Sequence, residues 1–192
     1  MQILSRYTPW QIEMAVTASL FELGLFNNEK WVVDYVHWLL NNSYYDDELL
    51  TILDDDPLYP NSQYNSEALR KAWTNLGFPE VAESQAKWIY SHLVINCYAT
   101  KPINYDIFNI INTSIFYDFA DKYSYLQDVE KFKDIIYILD DALGNLSLGY
   151  VQNGYNDPKT VLAMKIEFFD LCQQWINTHQ NKIASIFATL YS

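Results

Sequence analysis

The sequence predicts an all-α fold: a single domain over residues 1–192, built from eight or nine helices stacked as antiparallel hairpins around one core. Three observations predict it. Apolar residues recur at three- and four-residue steps along most of the chain. Two segments, Thr8-Pro9 and Asp157-Pro158, place a capping residue before a proline suited to the first helical position. Turn-flanked alternation of the kind a strand pair needs is weak throughout, although tyrosines and isoleucines raise strand propensity over 98–111 and 146–151. With 50% hydrophobic and 19% charged residues, and only five glycines and six prolines, the chain is neither disordered nor linker-rich.

The first helix opens at Thr8-Pro9-Trp10-Gln11, where Gln11 stands at the reciprocal position of a capping box. Its apolar face is predicted to be Ile12, Val16, Leu20 and Leu23, and Gly24 offers a stop. Asn28 caps a second helix whose broad apolar face holds Trp31, Tyr35 and Trp38 with Val32, Leu39 and Leu40. The short connection makes 8–40 an antiparallel hairpin. Residues 45–53 form a short helix ended by Asp54-Asp55-Asp56-Pro57, and 58–64 reads as loop.

Asn65 or Ser66 begins the next helix, through Leu69, Trp73 and Leu76 to a stop at Gly77. Pro79 then begins a long helix carrying Val81, Ala82, Ala86, Ile89, Leu93 and Cys97, broken again at Pro102. Helices over 104–121 and 125–143 follow, the latter with Leu126, Val129, Phe132, Ile136 and Leu139. Residues 144–156 hold three glycines and form the irregular segment. From Asp157-Pro158 the pattern Val161, Leu162, Ile166, Phe169 and Trp175 is helical, with a bend expected near Thr178-His179 before Ile183, Ile186, Phe187 and Leu190.

Charge excludes more functions than any motif does. Twelve basic residues face 24 acidic ones, a net −12, and residues 1–66 carry ten carboxylates against only Arg6 and Lys30. Such a field repels phosphate backbones and anionic lipid, which argues against a direct nucleic-acid binder and against membrane binding. It favours and steers a basic protein partner, although acidity also simply keeps an aromatic-rich surface soluble. The longest apolar runs are too short for a membrane span, and the N-terminal residues lack a secretory pattern. Cys97 and Cys172 lie in apolar helical patterns with no Cys-x-x-Cys and read as reduced core thiols, from which a cytoplasmic location follows as the expectation.

Catalytic and metal chemistry finds no local support. His37, His92 and His179 are widely separated, and no His-Glu-x-x-His or clustered cysteine pattern occurs. Asp118, Asp121, Glu130, Asp134 and Asp140 could share helical faces, but the histidines of a helical di-metal site are missing, and Lys122 and Lys133 suit ordinary ion pairing. Residues 144–149 lack a nucleophile elbow, His92 and Cys97 fall on different sides of one helix, and no phosphate-cradling loop is present. The reading is a non-enzyme with no cofactor and no metal.

Aromatic residues make up 17% of the chain, with sixteen tyrosines. Tyr44 and Tyr45 adjoin Asp46-Asp47-Glu48, and Tyr59 and Tyr64 follow Asp54-Asp55-Asp56. Tyrosine offers contact area with a polar tip, and carboxylates pair with Lys and Arg of a partner. The candidate partner-binding residues are therefore Tyr45, Asp46, Asp47, Glu48, Asp54, Asp55, Asp56 and Tyr59, with Glu13, Glu22 or Asp34 as extensions. Solvated loops also expose tyrosine and acid without any such use.

The hairpin 8–40, the acidic segment 46–56 and the block from Asp140-Asp141-Ala142-Leu143 through Gly154-Tyr155-Asn156-Asp157-Pro158 to Trp175 resemble, in size, charge and texture, small acidic all-helical bacterial immunity proteins encoded beside polymorphic or contact-dependent toxins. The resemblance implies a cytoplasmic protein that binds and neutralises one cognate toxin domain, frequently a basic nuclease. It transfers no family residue. The alternative is a non-catalytic helical scaffold or regulatory module, homodimeric through exposed aromatics.

Overall fold

The computed structural model describes residues 4–25, 29–54, 62–100, 125–130 and 158–192. Six α-helices occur there, α1 (Pro9–Glu22), α2 (Glu29–Asn41), α3 (Asp47–Leu53), α4 (Ser62–Asn75), α5 (Glu83–Thr100) and α6 (Pro158–Leu190), after a 3₁₀ turn at Leu4–Arg6, and no strand is found among the described residues. The helix predicted over 104–121, most of that over 125–143, and the irregular stretch 144–156 lie outside them. The chain packs as two compact units, Met1–Ile89 with Ser185–Ser192, and Tyr90–Ala184.

Three helices of the first unit end in the same way. The Leu25 and Gly24 N–H groups donate back to Leu20 and Phe21; those of Phe78 and Gly77 donate to Trp73 and Thr74; those of Tyr44 and Ser43 donate to Leu39 and Leu40. This paired closure requires a left-handed residue just past the helix. Gly24 and Gly77 supply it at φ +65° and +67°, while Ser43 adopts φ 66° despite its Cβ. Two of the three stops were therefore legible as glycine, and the third was not.

The α1 start matches its sequence signature. Thr8 Oγ1 accepts the Gln11 N–H at 3.2 Å and Gln11 Oε1 accepts the Thr8 N–H at 2.9 Å. Its face does not. Ile12, Val16 and Leu20 are only half-buried, whereas Met14, Ala15 and Ala18 are buried with Thr17 and Ser19. Small side chains let neighbouring elements approach this face closely, and the Ser19 hydroxyl is satisfied by the Ala15 carbonyl at 2.7 Å. Around it, Val32, Val36 and Leu39 of α2, Leu49 and Ile52 of α3, Leu69 and Trp73 of α4, and Ile186 and Phe187 of α6 complete the first unit's core. Trp10 stacks on Trp38 at 4.8 Å, the contact an antiparallel α1–α2 pair makes at this end; Asn28 and the turn lie outside the described residues.

Two predicted boundaries move. Helix α4 begins at Ser62, so Tyr64 is helical and not in a loop. Helix α5 begins at Glu83 instead of Pro79. The Gln85 side chain caps the Ala82 N–H at 3.0 Å, and the Pro79 carbonyl accepts the Trp73 indole N–H at 2.9 Å, so 79–82 is held as a strap across Trp73.

In the second unit, Ile95 and Ala99 of α5 and Phe168, Cys172, Trp175, Ile176 and Ile183 of α6 are buried. Helix α6 runs unbroken through Thr178 and His179, where a bend was expected. Leu162 and Ile166, part of the apolar pattern that predicted this helix, are 54% and 49% exposed. Leu126 and Val129 are buried, but the described residues 126–129 are not helical, although a helix was expected from 125. Their segment is fastened by Gln127, whose N–H donates to Ser91 Oγ and whose carbonyl accepts the Trp175 indole N–H.

Candidate functional site

Helix α3 organises the acidic segment, and it separates the predicted contact residues by role. Asp46 is the N-cap: its Oδ1 accepts the Glu48 N–H at 3.0 Å while Oδ2 accepts the Asn75 side-chain amide of α4 at 3.1 Å. Asp47 and Glu48 occupy the first turn, where carboxylates complement the helix dipole. Glu48 also lies 3.7 Å from Lys71 Nζ. Two of these three acids, Asp46 and Glu48, thus serve the helix start and its attachment to α4.

The outward face is different. Asp47, Leu50 and Asp54 are exposed at three- and four-residue steps, and Leu49 and Ile52 are buried on the opposite side. Tyr45 stands before them, 61% exposed, with its hydroxyl donating to Asp47 Oδ1 at 3.2 Å. Leu50, which the sequence reading missed, is 39% exposed; its spacing from Asp47 and Asp54 was the available signal. Asp54 is the C-cap, where its charge opposes the helix dipole. Asp55, Asp56 and Tyr59 lie outside the described residues.

Tyr44 has an internal role. The left-handed turn at Ser43 carries its ring onto Trp10, at 4.7 Å and an interplanar angle of 3°, with Phe78 edge-on at 5.0 Å. Trp10 is thereby sandwiched between Tyr44 and Trp38. Offset stacks and edge contacts of this kind add about 0.5–1.5 kcal/mol per pair beyond buried area. This cluster rigidifies the platform from which α3 and Tyr45 project. Tyr64 of α4 is 46% exposed. The contacts Asp46–Asn75 and Glu48–Lys71 run α3 antiparallel to α4 and set Tyr64 level with the Asp54 end. Of the extensions, Glu13 and Asp34 are exposed, and Glu22 pairs with Arg70 at 3.5 Å.

Among the described residues no three His, Cys, Asp or Glu side chains gather to hold a metal ion, and no helix is long and apolar enough to cross a membrane. Asp118, Asp121, Asp134 and Asp140 lie outside them. Cys172 is buried and free, and burial pushes its thiol up to about 12, which suppresses the reactive thiolate. The Cys97 side chain is not among those described. His37 is exposed, and burial holds His92 down to about 4, so it is neutral at pH 7. Comparison with protein families, characterised proteins and solved structures finds no match to this chain.

Proposed function

We propose that this chain is an immunity protein that binds and neutralises a basic toxin domain, such as a nuclease, without catalysis or cofactor of its own. The observation that carries the reading is the outward surface of α3, where exposed Leu50 lies between the carboxylates of Asp47 and Asp54 and exposed Tyr45 stands beside Asp47. Exposed apolar groups framed by like charge suit a partner carrying Lys and Arg around an apolar patch. The net −12 adds long-range attraction for such a partner and repels nucleic acid and anionic membranes.

Capture from a lysate of the source cells, with mass spectrometry of the retained protein, tests this. A retained basic domain whose toxicity is abolished on stoichiometric mixing supports the proposal. A retained partner that is acidic, or whose activity survives complex formation, overturns it. Exposed Leu162 and Ile166, one turn apart on α6, favour a second reading, a scaffold that self-associates. Sedimentation showing a dimer that a Leu162→Lys/Ile166→Lys variant dissolves would select it.

A further inference from the structure

Helix α4 carries two neighbouring cations, and they are engaged on opposite flanks. Lys71 reaches Glu48 of α3 on one side. On the other, Arg70 Nη2 lies 3.5 Å from Glu22 Oε2, and the Thr74 hydroxyl donates to Glu80 Oε1 at 3.4 Å. On this second flank a groove of about 100 Å³ opens over Phe21, Trp73 and Val81, with Glu22, Glu80 and Arg70 at its rim.

We propose that this groove seats the guanidinium of an arginine side chain presented by a basic protein partner, which displaces Arg70 from Glu22. The inference rests on the reading of the chain as a binder of a basic partner and adds the chemistry of one contact. Size sets the class of occupant: small-molecule sites usually enclose roughly 300–1,000 Å³, so a nucleotide or cofactor is too large and a side-chain tip fits. Charge sets its sign, since two carboxylates at the rim face one internal cation. That cation is loosely held: its contact with Glu22 is a single long one, and the Arg70 side chain is 63% exposed, the setting in which an ion pair contributes little.

Shape favours arginine over lysine. A planar fork with five donors can bridge two carboxylates, whereas an ammonium is a single point charge. The apolar floor accepts the methylene stem. The floor is also fixed in advance, because Trp73 donates its indole N–H to the Pro79 carbonyl and meets Phe21 edge-on at 5.3 Å, so little ordering is required on binding.

The test is a titration of the ¹⁵N-labelled full chain with N-acetyl-arginine amide, against N-acetyl-lysine amide and matched sodium chloride. Shifts are expected first at Phe21, Glu22, Thr74 and Glu80, with the lysine probe several-fold weaker. Glu22→Gln/Glu80→Gln should weaken arginine binding at least tenfold. Arg70→Gln should tighten it about threefold, whereas a purely structural Arg70 would leave it unchanged or weaken it. No shifts at the groove, or equal binding by the double variant, overturns the proposal. Shifts confined to Tyr45, Asp47 and Leu50 overturn the groove while leaving the α3 reading intact, and that reading falls only by the capture experiment.

Discussion

The Tyr191 hydroxyl donates to the main-chain carbonyl of Gln11, 180 positions earlier in the sequence. The bond ties the end of the chain to the first turn of α1, beside the ring contact of Tyr7 with Phe187 at 5.2 Å. Burial pushes the Tyr191 phenol up to about 12, so the hydroxyl stays protonated and donating through neutral pH. Tyr191→Phe should cost about 1 kcal/mol, lowering Tm by about 2–4 °C, while removal of 185–192 should cost several times more by taking the buried Ile186 and Phe187 out of the core. Thermal unfolding followed by circular dichroism checks both.

The division of roles in the acidic segment gives opposite expectations for two aspartates. Asp46→Ala removes an N-cap and the Asn75 contact and should destabilise by about 1–2 kcal/mol. Asp54→Asn removes a charge that opposes the α3 dipole and should be neutral or stabilising by about 0.3 kcal/mol. With a partner in hand, Asp47→Asn/Asp54→Asn should associate more slowly and with a flatter salt dependence at unchanged stability. Urea unfolding and stopped-flow association separate the two effects.

The shared closure of α2 and α4 allows a paired substitution. Ser43→Gly relieves a Cβ at φ 66° and should stabilise by about 0.5–1 kcal/mol. Gly77→Ala introduces the same strain at φ +67°, and because nothing lies within 4 Å of the added methyl, its cost of about 1 kcal/mol is conformational alone. Equal effects in the two variants would contradict this account.

His92 makes stability fall with acid. Its imidazole titrates near 4 in the fold, against 6.5 when unfolded. The unfolded chain therefore takes up a proton that the fold refuses, so the stability this group contributes is full above pH 6.5 and is lost as pH falls toward 4. Between pH 7 and 5 the loss should reach about 2 kcal/mol, a window above most carboxylate titration. His92→Gln should flatten that slope, as denaturant midpoints across pH will show.

Asp128 holds φ 52° and meets His179 Nε2 at 2.8 Å, and the His179 ring packs on Trp175 at 4.8 Å. Asp128→Asn keeps both a hydrogen-bonding side chain and tolerance of the left-handed region, and should change stability by less than about 0.5 kcal/mol. Asp128→Ala loses both and should cost about 1–2 kcal/mol. Calorimetry of the two variants distinguishes them.

The sequence by itself determined what local chemistry determines. Thr8-Pro9 and Pro158 mark helix starts because a cap and a fixed φ act within one turn, and Gly24 and Gly77 mark stops because only glycine enters the left-handed region freely. The short helix at Asp47–Leu53 was legible as an apolar spacing between acids. Only the tertiary structure decided which face of α1 is buried, since Met14, Ala15 and Ala18 pack closely where periodicity favoured larger Ile12, Val16 and Leu20. It also decided that Asp46 and Glu48 are spent on Asn75 and Lys71 while Asp47, Leu50 and Asp54 face outward, and that Glu22, Arg70 and Glu80 share one groove. Those groups are far apart in sequence, and a carboxylate's partner is set by which helix arrives beside it, a long-range packing outcome that no local spacing encodes.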